Sequence, residues 1–86
     1  MTHELKCWPE FFWPLKFGRK RFEYREDDRG YQVGDELVIR LWDPHSRVYR
    51  EDEQPLRFSV TYILDPKDPP FYDHESNYVV LGLDPA

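Results

Sequence analysis

Cysteine is nearly absent from this 86-residue chain: Cys7 stands alone. An internal disulfide is therefore excluded, and so is a cysteine-rich zinc site. A single free thiol fits a reducing compartment. No apolar run approaches the roughly 20 residues that cross a bilayer. The start, Met1-Thr2-His3-Glu4-Leu5, lacks the basic-then-apolar order of a signal peptide. The expected location is cytoplasmic, without membrane contact. A basic excess is also missing, since 12 Lys and Arg face 17 Asp and Glu, a net charge of −5 with neutral histidines. That balance opposes non-specific coating of nucleic acid or anionic membrane. The three histidines, His3, His45 and His74, have no partner at metal-ligand spacing. No glycine-rich phosphate loop, nucleophile elbow or internal repeat occurs. Neither a metal nor a cofactor is expected, and no motif argues for catalysis.

What the chain has is aromatic mass: six Phe, six Tyr and three Trp, 17% of its residues. A chain this short forms one domain, here residues 1–86, and buries only about 60% of the surface its unfolded form exposes. Large rings contribute the core area that staples would otherwise replace. The charge is also uneven. Between Lys16 and Arg25 stand five basic residues and one acidic one. With a screening length of about 8 Å at physiological salt, such a patch holds a phosphate locally on an acidic molecule.

Thr2 to Cys7 reads as an opening strand. Pro9 sits where a helix starts without loss, and the helix is expected to run towards Phe17 and end at Gly18. Pro14, inside it, removes a hydrogen bond and predicts a kinked or broken helix. From Arg21 the period becomes two: Phe22 and Tyr24 face one way, and Arg21, Glu23 and Arg25 the other, as in a half-buried strand. Glu26 to Gly30 is a charged loop, and Val33-Gly34-Asp35 a turn with glycine available for positive φ. Glu36 to Trp42 is a strong strand, with Leu37, Ile39 and Leu41 on one face. Val48-Tyr49-Arg50 reads as a short edge strand. Arg57 to Leu64 alternates Phe58, Val60, Tyr62 and Leu64. Asp65 to Glu75, with four acidic residues and three prolines, is a stiff surface loop. Tyr78 to Leu83 is apolar enough for a strand covered on both faces. These elements predict an α+β, mainly β domain: a small open barrel of five to six strands with one short helix, closed or nearly closed so that few edges remain.

Gly18-Arg19-Lys20-Arg21-Phe22-Glu23-Tyr24-Arg25 resembles the G-x-K-x-x-E-x-R motif of ASCH domains, relatives of the PUA RNA-binding fold. Thr2-His3-Glu4-Leu5-Lys6, Val33-Gly34-Asp35, Val60 to Leu64 and Tyr78 to Gly82 continue the likeness in order. The chain is similar to a short ASCH-related family of unknown function, the 3850 domain family, frequent in phages and bacteria. The resemblance implies a PUA-like β-barrel whose cleft, between helix and barrel mouth, takes RNA or a nucleotide. Lys20, Glu23 and Arg25 would then face that cleft, with Arg19 beside them. Trp8, Trp13 and Tyr31 are candidates for base stacking. The plainer readings are a surface Glu23–Arg25 ion pair worth at most about 1 kcal/mol, solvated flanks at Arg19 and Arg21, and packing roles for Trp8 and Trp13.

One ASCH-related branch hydrolyses acetylated cytidine with a threonine where Glu23 stands; a carboxylate does not replace that hydroxyl, so the activity is not carried over. Binding of RNA or a nucleotide leads. The alternative is a protein-interaction module, including a phage-borne inhibitor acting through Glu51-Asp52-Glu53 and the loop from Asp65 to Glu75. An RNA-processing hydrolase comes third.

Overall fold

The computed structural model describes residues 1–86. Strand β1 (Thr2–Cys7) leads into helix α1 (Pro9–Lys16). Strands β2 (Phe22–Glu26), β3 (Glu36–Asp43), β4 (Val48–Tyr49), β5 (Leu56–Leu64) and β6 (Tyr78–Pro85) follow. They form one six-stranded sheet in the order β1-β3-β5-β6-β2, with β4 paired to β3 off that path. All pairings are antiparallel except β1 with β3. The fold is mainly β, as expected, and the sheet does not close into a barrel. β1 and β2 are the two ends of the strand order and share no ladder, so a seam remains between them.

The core is built from residues the alternation marks out: Leu5 and Cys7 of β1, Leu37, Ile39 and Leu41 of β3, Phe58 and Val60 of β5, and Val79, Leu81 and Leu83 of β6. Helix α1 adds Phe12 and Leu15, and Trp13 packs against this cluster from its edge. Trp13 is thus a packing residue, stacked on Phe17 at 6.2 Å.

Four details differ from the sequence reading. First, α1 is a single helix through Pro14, not one broken there. The carbonyl that Pro14 leaves without its helical donor belongs to the exposed Glu10, where it is open to solvent and costs little. The Pro14 carbonyl in turn accepts from both Arg19 N at 2.9 Å and Lys20 N at 3.1 Å. With Gly18 at φ +76°, these bonds turn the chain sharply and fix where Lys20 begins. Second, β2 is inverted: Glu23 is only 4% exposed, while Phe22 and Tyr24 face solvent. Third, β5 has an irregularity between Val60 and Tyr62. The additional residue, Thr61, shifts the alternation, so Ile63 packs towards the core while Tyr62 and Leu64 turn outward. Fourth, β6 is covered on one face only, with Tyr78 exposed and Val80 and Gly82 half-buried.

Candidate functional site

The seam between β1 and β2 opens into a cleft of about 820 Å³. One wall is β1 with Trp8, which precedes the helix, and Phe11 of α1; the other is β2 with Tyr78 of β6. Because both walls are edge strands, their outward backbone groups need partners. Arginines supply them. Arg25 Nη2 donates to the Lys6 carbonyl at 2.5 Å, and Arg29 Nη1 donates to the Glu4 carbonyl at 2.9 Å. Glu4 and Lys6 are two apart, so their carbonyls point the same way from the edge of β1. Arg29 reaches it from a loop held by Asp27, whose Oδ1 accepts from Gly30 N at 3.1 Å and Tyr31 N at 3.2 Å. The seam is bridged by side chains where a closed barrel would have a ladder.

Glu23 lies at the centre. Its Oε1 accepts from Lys20 Nζ at 2.5 Å and its Oε2 from Arg25 Nε at 2.9 Å. Lys20 and Arg25 are themselves largely shielded, with side chains 18% and 25% exposed. Lys20 Nζ also lies 5.5 Å from the Phe11 ring centre and 5.2 Å from that of Phe22. The expected trio therefore comes together, as a buried carboxylate clamped by two cations and not as a surface pair. Trp8 lines the cleft and is half-exposed. Tyr31 lines it too, but as buried floor, its phenol pushed up by burial. Arg19 is exposed and lies outside the cleft wall.

Phe11, Phe22, Tyr24, Tyr78 and Arg29 line the cleft without having been singled out from the sequence. The available signal was Glu23 between two aromatics and two cations. Hydrophobic alternation argues for the opposite orientation, and it misleads here. Arg29 read as part of a solvated loop, and only the fold brings it to β1.

Two further reactive groups are held quiet. Burial, reinforced by the negative charge of Glu23, pushes the Cys7 thiol up to about 12. His3 is buried outside the cleft, with Nε2 2.8 Å from Asp35 Oδ2 and its ring edge-on to Tyr31 at 4.9 Å. The hydrogen bonds from His3 and from Gln32 N hold the Asp35 carboxyl down at about 2. His3 thus anchors the turn that enters β3. No three His, Cys, Asp or Glu side chains gather in a way that could hold a metal ion. No helix is long and apolar enough to cross a membrane.

Among known proteins, the chain is similar to an uncharacterized 12.9 kDa protein in the GpA 3′ region of Escherichia phage P2. The two are 40% identical over 40 residues, a stretch covering 46% of this chain and 37% of the phage protein. The family described as Domain of unknown function (DUF3850) matches residues 2–83. That span takes in both cleft walls, the Lys20-Glu23-Arg25 cluster and all of the sheet but the last two residues of β6, and on it the chain belongs to the DUF3850 family.

Proposed function

We propose that this protein binds RNA or a nucleotide in the cleft between β1 and β2, in the cytoplasm, and that its fold is an ASCH-type, PUA-like barrel left open along that seam. The observation that carries the reading is the Glu23 carboxylate, buried and clamped by Lys20 and Arg25, within a cleft lined by exposed rings. Well-packed apolar residues usually replace a buried ion cluster without loss of stability. A cluster that stays charged therefore suits recognition better than it suits stability. Hydrogen-bonding capacity is also left over. A carboxylate offers about four lone-pair sites, and Glu23 uses one on each oxygen. The remainder accept from the amine and ring N–H of a base. Lys20 and Arg25 keep donors for a phosphate or a base carbonyl, and Trp8 and Phe11 present faces for stacking.

The protein-interaction alternative gains nothing from the acidic run at 51–53. Glu51 pairs with Arg40, Asp52 with Arg50 and Glu53 with Lys16, so free charge for that reading is left only in the loop from Asp65 to Glu75. There Asp65 pairs with Lys67, and Asp68, Asp73 and Glu75 join no ion pair. For RNA cleavage, a group must exchange protons near neutral pH, and His3 is engaged away from the cleft. Chemical-shift mapping with nucleotides and short RNAs at two salt concentrations tests the binding reading. Shifts are expected at Lys20, Glu23, Arg25 and the Trp8 ring, shrinking as salt rises. Trp8→Ala, at a half-exposed ring, should weaken binding and leave the melting temperature unchanged. An absence of shifts with every nucleotide and RNA would sink the proposal.

A further inference from the structure

The two oxygens of Glu23 are held in a way that distinguishes one base from the rest. Lys20 Nζ donates to Oε1 alone and Arg25 Nε to Oε2 alone, so neither cation bridges the pair. Arg25 does not fork onto the carboxylate, because its Nη2 is engaged by the Lys6 carbonyl. Each oxygen therefore keeps one acceptor site. The two sites lie side by side, as neighbouring N–H donors on a ring require. The Glu23 side chain lines the cleft and is only 5% exposed. Water can do little there for a lone pair that a ligand leaves unmet, and such a mismatch is costly.

Unpaired bases are read on their Watson–Crick edges, and these edges differ in what they offer a carboxylate. Guanine presents two adjacent donors, N1–H and the N2 amine. Adenine and cytosine each set one amine beside a bare ring nitrogen, which would face the second oxygen lone pair to lone pair. Uracil sets a single N–H between two carbonyls. Only guanine meets both oxygens with hydrogens. Its O6 carbonyl, next to N1, needs a donor in turn. Lys20 retains unused ammonium protons and Arg25 an unused Nη1.

The floor of the cleft is also open to a polar ligand. Tyr31 is 5% exposed, yet its hydroxyl takes part in none of the protein's side-chain hydrogen bonds. No fully buried polar side-chain atom lacks a partner, so this hydroxyl reaches the cleft surface. An arginine side chain offers two adjacent N–H donors as well. It would bring a third cation to a cluster that already sets two against one carboxylate, and like charges at close range repel. A neutral base escapes that repulsion, and its phosphate gains from the excess cation.

We infer that the cleft selects guanine, whose N1–H and N2 amine donate to the two oxygens of Glu23. This rests on the nucleotide-binding reading of the cleft and names the base it takes.

The test is calorimetry with the 5′-monophosphates of guanosine, inosine, adenosine, cytidine and uridine. Inosine differs from guanosine only in lacking the N2 amine, so the wild-type protein alone can decide. Guanosine monophosphate should bind about tenfold more tightly than inosine monophosphate, as loss of one hydrogen bond to a charged group requires. Its advantage over the other three should be about ten- to a hundredfold. Glu23→Gln, with its fold checked by thermal melt, should bind guanosine and inosine monophosphates equally. Equal affinity of wild type for these two, or tighter binding of any other base, would overturn the selection and leave the cleft reading standing. A guanine preference that survives in folded Glu23→Gln would overturn the assignment to Glu23. If none of these nucleotides binds, the cleft reading falls and the selection with it.

Discussion

Titratable side chains inside this protein are held by neighbours that suppress their ordinary chemistry. Asp35 receives hydrogen bonds from His3 and from Gln32 N, and its carboxyl is held at about 2 against an ordinary 3.8. The unfolded chain therefore binds a proton at a pH where the folded chain does not. The stability this contributes is present above pH 4 and is lost as pH falls towards about 2. Wild type should accordingly lose stability more steeply than Asp35→Asn across that window in thermal melts, and parallel curves would rule the linkage out. For Cys7 the shift runs the other way. With its thiol pushed up to about 12 and its side chain buried, alkylation at pH 8 should be far slower in the native protein than in denaturant. Equal rates in the two conditions would contradict the burial.

At the level of elements, the edge strands β1 and β2 explain why Arg25 matters beyond its charge. It donates to Glu23 and to the Lys6 carbonyl at once, so it both neutralises a buried carboxylate and covers an edge. Removing one partner of a buried pair costs about 3–5 kcal/mol. Because Lys20 remains beside Glu23, Arg25→Ala should cost less, about 2–3 kcal/mol by denaturant titration. Arg25→Lys should recover only part of this, since one ammonium does not reach both acceptors as a planar fork does. If Arg25→Ala proved neutral, the arginine bridge would not hold the seam. In α1, proline in a helix interior is about 3 kcal/mol less favourable than alanine. Pro14→Ala keeps the carbonyl that Arg19 and Lys20 use and restores an N–H, so it should stabilise the protein by about 1–3 kcal/mol. A lower melting temperature would show that the ring itself positions the motif.

The whole molecule is acidic, and of the cations outside every ion pair Arg19 and Arg21 lie in the short basic segment that leads into β2, while Lys6 lines the cleft and Arg47 lies apart from both. Lys20 and Arg25 already pair with Glu23, so few phosphates are neutralised on binding. The logarithm of a single-strand binding constant falls by about 0.7 per neutralised phosphate per decade of salt. A shallow slope, about −1 to −2, is therefore expected from titrations across salt concentrations. A slope near −5 would mean that binding follows charge over a wide surface and would remove the cleft from its central place. The open sheet suits the small contact. A sheet closed between β1 and β2 would bury the edges that now flank Glu23.

Much of this protein is legible along the chain because it depends on local chemistry. The strand at 36–43, the turn at Gly34 with φ +97°, the helix start at Pro9 and its stop at Gly18 follow from alternation and from the conformations proline and glycine favour. The grouping of Lys20, Glu23 and Arg25 followed from spacing together with family resemblance. Only the tertiary structure decided which way β2 faces. Two cations from the same segment are enough to carry Glu23 into the interior and leave Phe22 and Tyr24 in solvent, against hydrophobic patterning. One additional residue at Thr61 likewise reverses the end of β5, since strand faces alternate with a period of two. The place of the opening was beyond reach for a different reason. Whether two edge strands pair depends on the curvature of the intervening sheet and on side chains such as Arg29 that arrive from distant loops. No local pattern encodes a contact between residues so far apart in the chain.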